Sequence, residues 1–151
     1  MPSQPHGLQM IDVGAKPVSL RIAKASARLL AQPETIRRIR SHELEKGDAV
    51  VTARLAGIMA AKRTSEIVPL CHPLPLDSVI VAIDVSATDA VTIEATVKAT
   101  ARTGVEMEAL LAVTAAALTL YDMCKSIDRG MTIDNIRLEE KYGGTRGDYV
   151  R

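Results

Sequence analysis

Hydrophobic and polar positions alternate from Val18 to Leu30, with Val18, Leu20 and Ile22 set against Ser19, Arg21 and Lys24. A period of two predicts a strand. Pro33 suits the first turn of a helix and Glu34 its positive end, so a helix is expected to run to about Leu44. Lys46-Gly47-Asp48 interrupts the pattern, and Asp48 is a good N-cap. The alanine-rich helix that follows carries Val51, Leu55, Ile58 and Met59 at three-to-four spacing. Pro69, Pro73 and Pro75 are incompatible with a helix interior, so residues 68–76 read as an irregular loop. Val79, Val81, Ile83 and Val85 alternate, and so do Val91, Ile93, Ala95 and Val97. The residues 86–90 between them suit a hairpin loop. A long helix is expected from about Val105 to Ser126, with Leu110, Val113, Ala117, Leu118 and Tyr121 as its apolar face. A last strand is expected over residues 131–138.

Strand, helices, strand, strand, helix, strand is the order of a ferredoxin-like domain. The expected fold class is therefore α+β, an antiparallel sheet with helices packed on one face. At 151 residues one domain is expected. Residues 1–15 carry two prolines, two glycines and little periodicity, and read as a flexible N-terminal arm ahead of a single catalytic domain, 16–151.

Aromatic residues make up 2%, with no Phe, no Trp and three tyrosines, so the core must be built from Ala, Val, Ile, Leu and Met. Nucleic-acid modules that stack bases need aromatic platforms, and this chain lacks them. Nineteen basic and eighteen acidic residues give a net charge of +1, so no global field draws the protein to nucleic acid or membrane. Two cysteines fit a reducing compartment. The N-terminus does not read as a signal peptide, and the apolar run from Ala109 to Tyr121 is too short to span a bilayer. A cytoplasmic location without a membrane or nucleic-acid partner is expected.

The loop LCHPLP holds Cys71 and His72 between prolines that restrict its backbone. His72 suits a general base, a proton donor or a phosphate ligand; the alternative is a structural histidine beside a small core cysteine. A zinc site would need Cys71, His72 and Cys124 to converge with a fourth ligand, and no Cys-x-x-Cys spacing supports one. On the long helix, Glu106 and Glu108 stand about 200° apart and cannot both face one pocket if the helix is already regular there; the alternative is that one belongs to the first turn, near the positive dipole end. Glu108 and Asp122 share a face but lie about 21 Å apart along the axis. Both can serve one site only with a long ligand or a second subunit. Asp122 and Lys125, at i,i+3, are close enough to interact; the bland alternative is a surface ion pair. Lys46, Lys62, Arg63, Lys141 and Arg146 with Gly143-Gly144 suggest a polyphosphate binder, although neither nucleotide-binding glycine fingerprint is present.

The segments KGDAVVTARLAGIMAAKRTSEIVPLCHPLPL and TGVEMEALLAVTAAALTLYDMCK strongly resemble the cyclic pyranopterin monophosphate synthases, the molybdenum cofactor biosynthesis protein C family. The likeness runs from about Lys16 to Gly147. It implies a lyase that converts cyclised dihydro-GTP (3',8-cyclo-7,8-dihydro-GTP) to cyclic pyranopterin monophosphate and releases pyrophosphate, with no metal or organic cofactor. It also implies a ferredoxin-like fold and a homohexamer, a trimer of dimers with active sites at the dimer interface. Carried over by motif, the catalytic positions are Asp122, Lys125, Lys46, Lys62, His72, Glu106 and Lys141. Substrate contacts fall to Leu70, Cys71, His72, Met107, Glu108, Arg21 and Arg146. The family tail commonly reads lysine, a variable residue, Gly-Gly-Lys-Ser-Gly; here Thr145 replaces that lysine and Arg146 supplies a charge one position later. A nucleotide-binding regulatory module without chemistry is the alternative from another class.

Overall fold

The computed structural model describes residues 7–151; residues 1–6, part of the expected arm, lie outside the described residues. Residues 7–15 form no helix or strand. The elements are β1 (Ser19–Leu30), α1 (Pro33–Arg40), α2 (Ala49–Lys62), a single turn α3 (Thr64–Ile67), β2 (Leu76–Asp84), β3 (Ala90–Ala101), α4 (Glu106–Cys124), β4 (Thr132–Tyr142) and β5 (Tyr149–Val150). Asp48 caps α2 by accepting a hydrogen bond from the Val51 N–H at 3.1 Å, and Pro33 opens α1. The five strands lie in the order β2-β3-β1-β4-β5, every neighbouring pair antiparallel. With the helices, this is the expected α+β, ferredoxin-like arrangement.

The expected ends shift where no local signal marks them. α1 stops at Arg40 rather than Leu44, and β4 continues to Tyr142. The turn α3 and the short return strand β5 were not expected from the pattern. β5 exists only through its long-range pairing, Lys141 with Tyr149 and Glu140 with Val150.

Two faces are reversed relative to the pattern of large apolar residues. On β1 the buried set is Arg21, Ala23, Ala25, Ala27 and Leu29, while Val18 and Leu20 are exposed. On α2 the buried residues are Ala49, Ala53, Gly57 and Ala61, while Val51, Leu55 and Met59 are exposed. The cause is close approach. A Cβ at Gly57 would stand 2.9 Å from the carbonyl oxygen of Ala112 and 3.1 Å from Val81. Only small residues fit between α2, α4 and the sheet, so the bulky ones are turned outward. On α4, Val113 and Ala117 are buried as expected, Leu110 and Tyr121 are half-buried, and Leu118 is exposed.

Taken whole, the 19 residues of α4 are long and apolar enough by length and composition to cross a membrane, although the apolar run within it is shorter. Here it is the core helix. Ala109, Ala112, Val113, Ala116 and Leu120 are fully buried, and the helix packs on β1, β3 and β4 with α2 alongside.

Candidate active site

Four elements place side chains around a cavity of about 480 Å³. The proline-rich loop after α3 contributes Leu70, Cys71 and His72. Its turn closes with the Cys71 N–H donating to the Val68 carbonyl at 3.1 Å. The first turn of α4 contributes Glu106 and Met107, β1 contributes Arg21, and the end of β4 with its following loop contributes Lys141 and Arg146. Of the expected site residues, these eight meet. The cavity also takes in Lys16, Thr103 and Thr145, which sequence reasoning did not place in the site. For Lys16 there was a signal: it is the sole cation between residues 7 and 18.

Arg21 is 6% exposed. Its Nη2 donates to the Arg102 carbonyl at 3.0 Å and its Nε to the Ala101 carbonyl at 3.4 Å. The Gly143-Gly144 turn passes directly over it. Gly144 has φ +94°, and a Cβ there would run into the guanidinium. The turn is held by the Gly143 N–H donating to Asp148 at 3.1 Å and by the return of the chain through β5. Arg21, Lys16, Lys141 and Arg146 thus put four cations on the lining of one cavity, a set whose chemistry suits an anion.

The two glutamates of α4 diverge, as their helical spacing requires. Glu106 lines the main cavity, where its Oε1 lies 3.7 Å from Lys141 Nζ. Glu108 points instead to a second, small chamber of about 50 Å³ lined also by Lys62, Thr64, Ser65 and His72. Burial pushes Glu108 up to about 7, and the Glu106 charge adds to the effect. The Cys71 thiol sits 3.9 Å from Glu108 Oε1. Burial, reinforced by that carboxylate, pushes the Cys71 thiol above its ordinary range. Cys124 is a free thiol fully buried in the core, pushed up to about 11 by burial. Among the described residues no three His, Cys, Asp or Glu side chains cluster as a metal site.

The remaining expected residues lie elsewhere. Asp122 is bridged by two lysines, Lys46 at 2.8 Å and Lys125 at 2.9 Å. Their hydrogen bonds hold the Asp122 carboxyl down at about 2. All three side chains are more than half exposed. Asp122 sits at the opposite end of α4 from Glu106, about 24 Å away by helix rise. Lys62 lines the small chamber and a separate surface hollow beside β2 rather than the main cavity. Within one chain, then, the cation wall with Glu106 and His72 is one cluster, and Lys46–Asp122–Lys125 is another.

The MoaC family matches residues 10–144. Cyclic pyranopterin monophosphate synthase 3 of Mycobacterium tuberculosis is 56% identical over 143 residues, covering 95% of this chain and 81% of that protein. The cyclic pyranopterin monophosphate synthase of a Roseiflexus species is 56% identical over 144 residues, covering 94% and 90%. That of Thermomicrobium roseum is 54% identical over 144 residues, covering 95% and 87%. The cavity residues from Ile11 to Gly143 all fall inside the matched span, and this chain belongs to the MoaC family.

Proposed function

We propose that this chain is a lyase of molybdenum cofactor biosynthesis that converts cyclised dihydro-GTP to cyclic pyranopterin monophosphate and releases pyrophosphate. One observation carries the reading: Lys16, Arg21, Lys141 and Arg146 surround the same cavity as Glu106 and His72. A triphosphate needs several cations, and a purine being rebuilt into a pterin needs proton donors and acceptors beside them. The wall of Arg21, Lys16 and Arg146 is suited to the phosphates. As the cyclic phosphate closes, a P–O bond forms at the innermost phosphate while the bond to pyrophosphate breaks, and fixed cations stabilise the charge that leaves. Arg146 takes the place of the lysine usual in the family tail. Without aromatic platforms, the ring is held by Leu70, Met107, His72, Glu106 and backbone.

Asp122 and Lys125, with Lys46, supply acid and base from a second subunit. Two features favour this. The triad stands a helix length from the cavity, and Val51, Leu55 and Met59 of α2 with Leu118 of α4 are exposed on the helical layer. A partner α4 running antiparallel would bring its triad to this cavity. The assembly is a cytoplasmic homohexamer, a trimer of dimers with the site at the dimer interface, and residues 16–151 form its single catalytic domain.

The test is to supply cyclised dihydro-GTP and quantify both products. Pyrophosphate and the pterin are expected in equal amounts. Tight binding of the substrate without turnover would instead favour a regulatory nucleotide-binding module.

A further inference from the structure

Glu108 is 3% exposed, and its Oε2 is buried without a hydrogen-bond partner. Its Oε1 has the Cys71 thiol at 3.9 Å, a weak donor at long range. The nearby lysine of β4, Lys141, is directed to Glu106 instead, at 3.7 Å. Glu106 Oε1 is likewise buried without a hydrogen-bond partner, but it has that cation at 3.7 Å, so the two carboxylates differ in ion pairing, which favours an ionised role for Glu106 and a neutral one for Glu108. With only its own backbone N–H and a weak thiol donor in compensation, this buried carboxylate is costly to ionise, which favours the protonated form.

Glu108 closes one side of the small chamber of about 50 Å³. The other polar walls are Lys62 from the end of α2, Thr64 and Ser65 from α3, and His72 from the loop. The volume exceeds what one water needs, and the walls offer the two to four polar partners that hold buried water in place. His72 belongs to this chamber and to the main cavity. The groups that face Glu108 are thus Glu106 on its own helix, Cys71 and His72 from the loop, and Lys62 from α2.

We propose that the chamber is a water-holding proton reservoir behind the wall of the main cavity, in which Glu108 rests as the neutral acid and exchanges its proton with His72. The O–H bond at Oε2 breaks as an N–H bond forms on the imidazole through the intervening water, and the reverse transfer restores the acid. No electron moves and no proton is consumed. Cys71 acts as a positioning residue, its thiol donating to Oε1 and fixing which oxygen faces the chamber. The value of this reservoir to turnover rests on the lyase reading above; the protonation state of Glu108 does not.

The experiment is a residue-resolved titration of the Glu108 carboxyl in the full chain by carbon-13 NMR, with Glu108→Gln to confirm the assignment. A midpoint near 7 is expected in the wild type, and a lower one in Cys71→Ser, whose hydroxyl is the stronger donor. A wild-type midpoint near the ordinary 4.5 would overturn the reservoir, and an unmoved midpoint in Cys71→Ser would overturn the role of Cys71. In the pyrophosphate assay, Glu108→Gln should lower kcat about 100-fold and leave KM within about three-fold. Unchanged kcat with an unchanged pH profile would overturn the relay to His72. If the wild type shows no turnover, the lyase reading fails and the titration still decides the state of Glu108.

Discussion

At its N-terminal end α4 buries one carboxylate, Glu108, against a thiol; at its C-terminal end it exposes another, Asp122, between two lysines. The same chemical group is pushed up to about 7 in the first place and held down at about 2 in the second. Burial decides the first and charge-assisted hydrogen bonds the second. The lesson is that one helix can present a proton donor at one end and a fixed anion at the other. A rigid rod of this kind cannot bring its own two ends together, so their chemistry can meet only over a long ligand or, as proposed, through a second copy.

The largest effect that could break this comparison is at Lys125. Lys125→Ala should lower kcat for pyrophosphate release about 1,000-fold while circular dichroism and the melting temperature stay close to wild type, because the side chain is exposed. Wild-type turnover in that variant would remove the C-terminal cluster from the reaction. Next in size is the pH dependence of stability at Glu108. Its folded value is raised, so its favourable contribution is complete below about 4.5 and is lost as pH rises through about 7. Glu108→Gln should therefore gain about 1–3 kcal/mol relative to wild type between pH 4 and pH 8 in urea denaturation. Asp122 works in the opposite sense. Its contribution is present above about 3.8 and lost as pH falls through about 2, so Asp122→Asn should leave that neutral-range slope alone.

Gly144→Ala sharpens the comparison on the cavity side. The new side chain would meet the Arg21 guanidinium at a backbone angle that disfavours alanine, which should cost about 1–2 kcal/mol of stability. It should also raise KM several-fold, measured by steady-state kinetics. The smallest effect is expected on the exposed face of the sheet, where Arg28 pairs with Asp134 at 2.9 Å. Arg28→Ala should leave the melting temperature close to wild type and kcat unchanged.

The topology was legible because alternation in β2 and β3, the Asp48 cap and Pro33 in the first turn of α1 are local signals that the tertiary structure kept. The buried faces of β1 and α2 were not, and the reason is physical. In an alanine-rich chain the tightest contact is made by the smallest residues, so Val51 and Leu55 mark the outside of α2 while Ala53 and Gly57 mark the core. For the site, motif positions identified Arg21, His72, Glu106 and Lys141, which converge. The separation of Asp122 from them followed from helix rise alone. Thr103 and β5 depend on contacts between distant segments, and no local pattern announces those.

Mixed dimers test directly whether the two ends of α4 serve one reaction across two chains. Glu106→Ala and Asp122→Ala should each be inactive alone. After unfolding and refolding them together in equal amounts, half of the dimers are mixed and each mixed dimer has one intact site of two. About a quarter of wild-type pyrophosphate release is therefore expected, with subunit exchange verified by mass spectrometry of differently tagged chains. No recovery in verified mixed dimers would contradict a site shared between subunits.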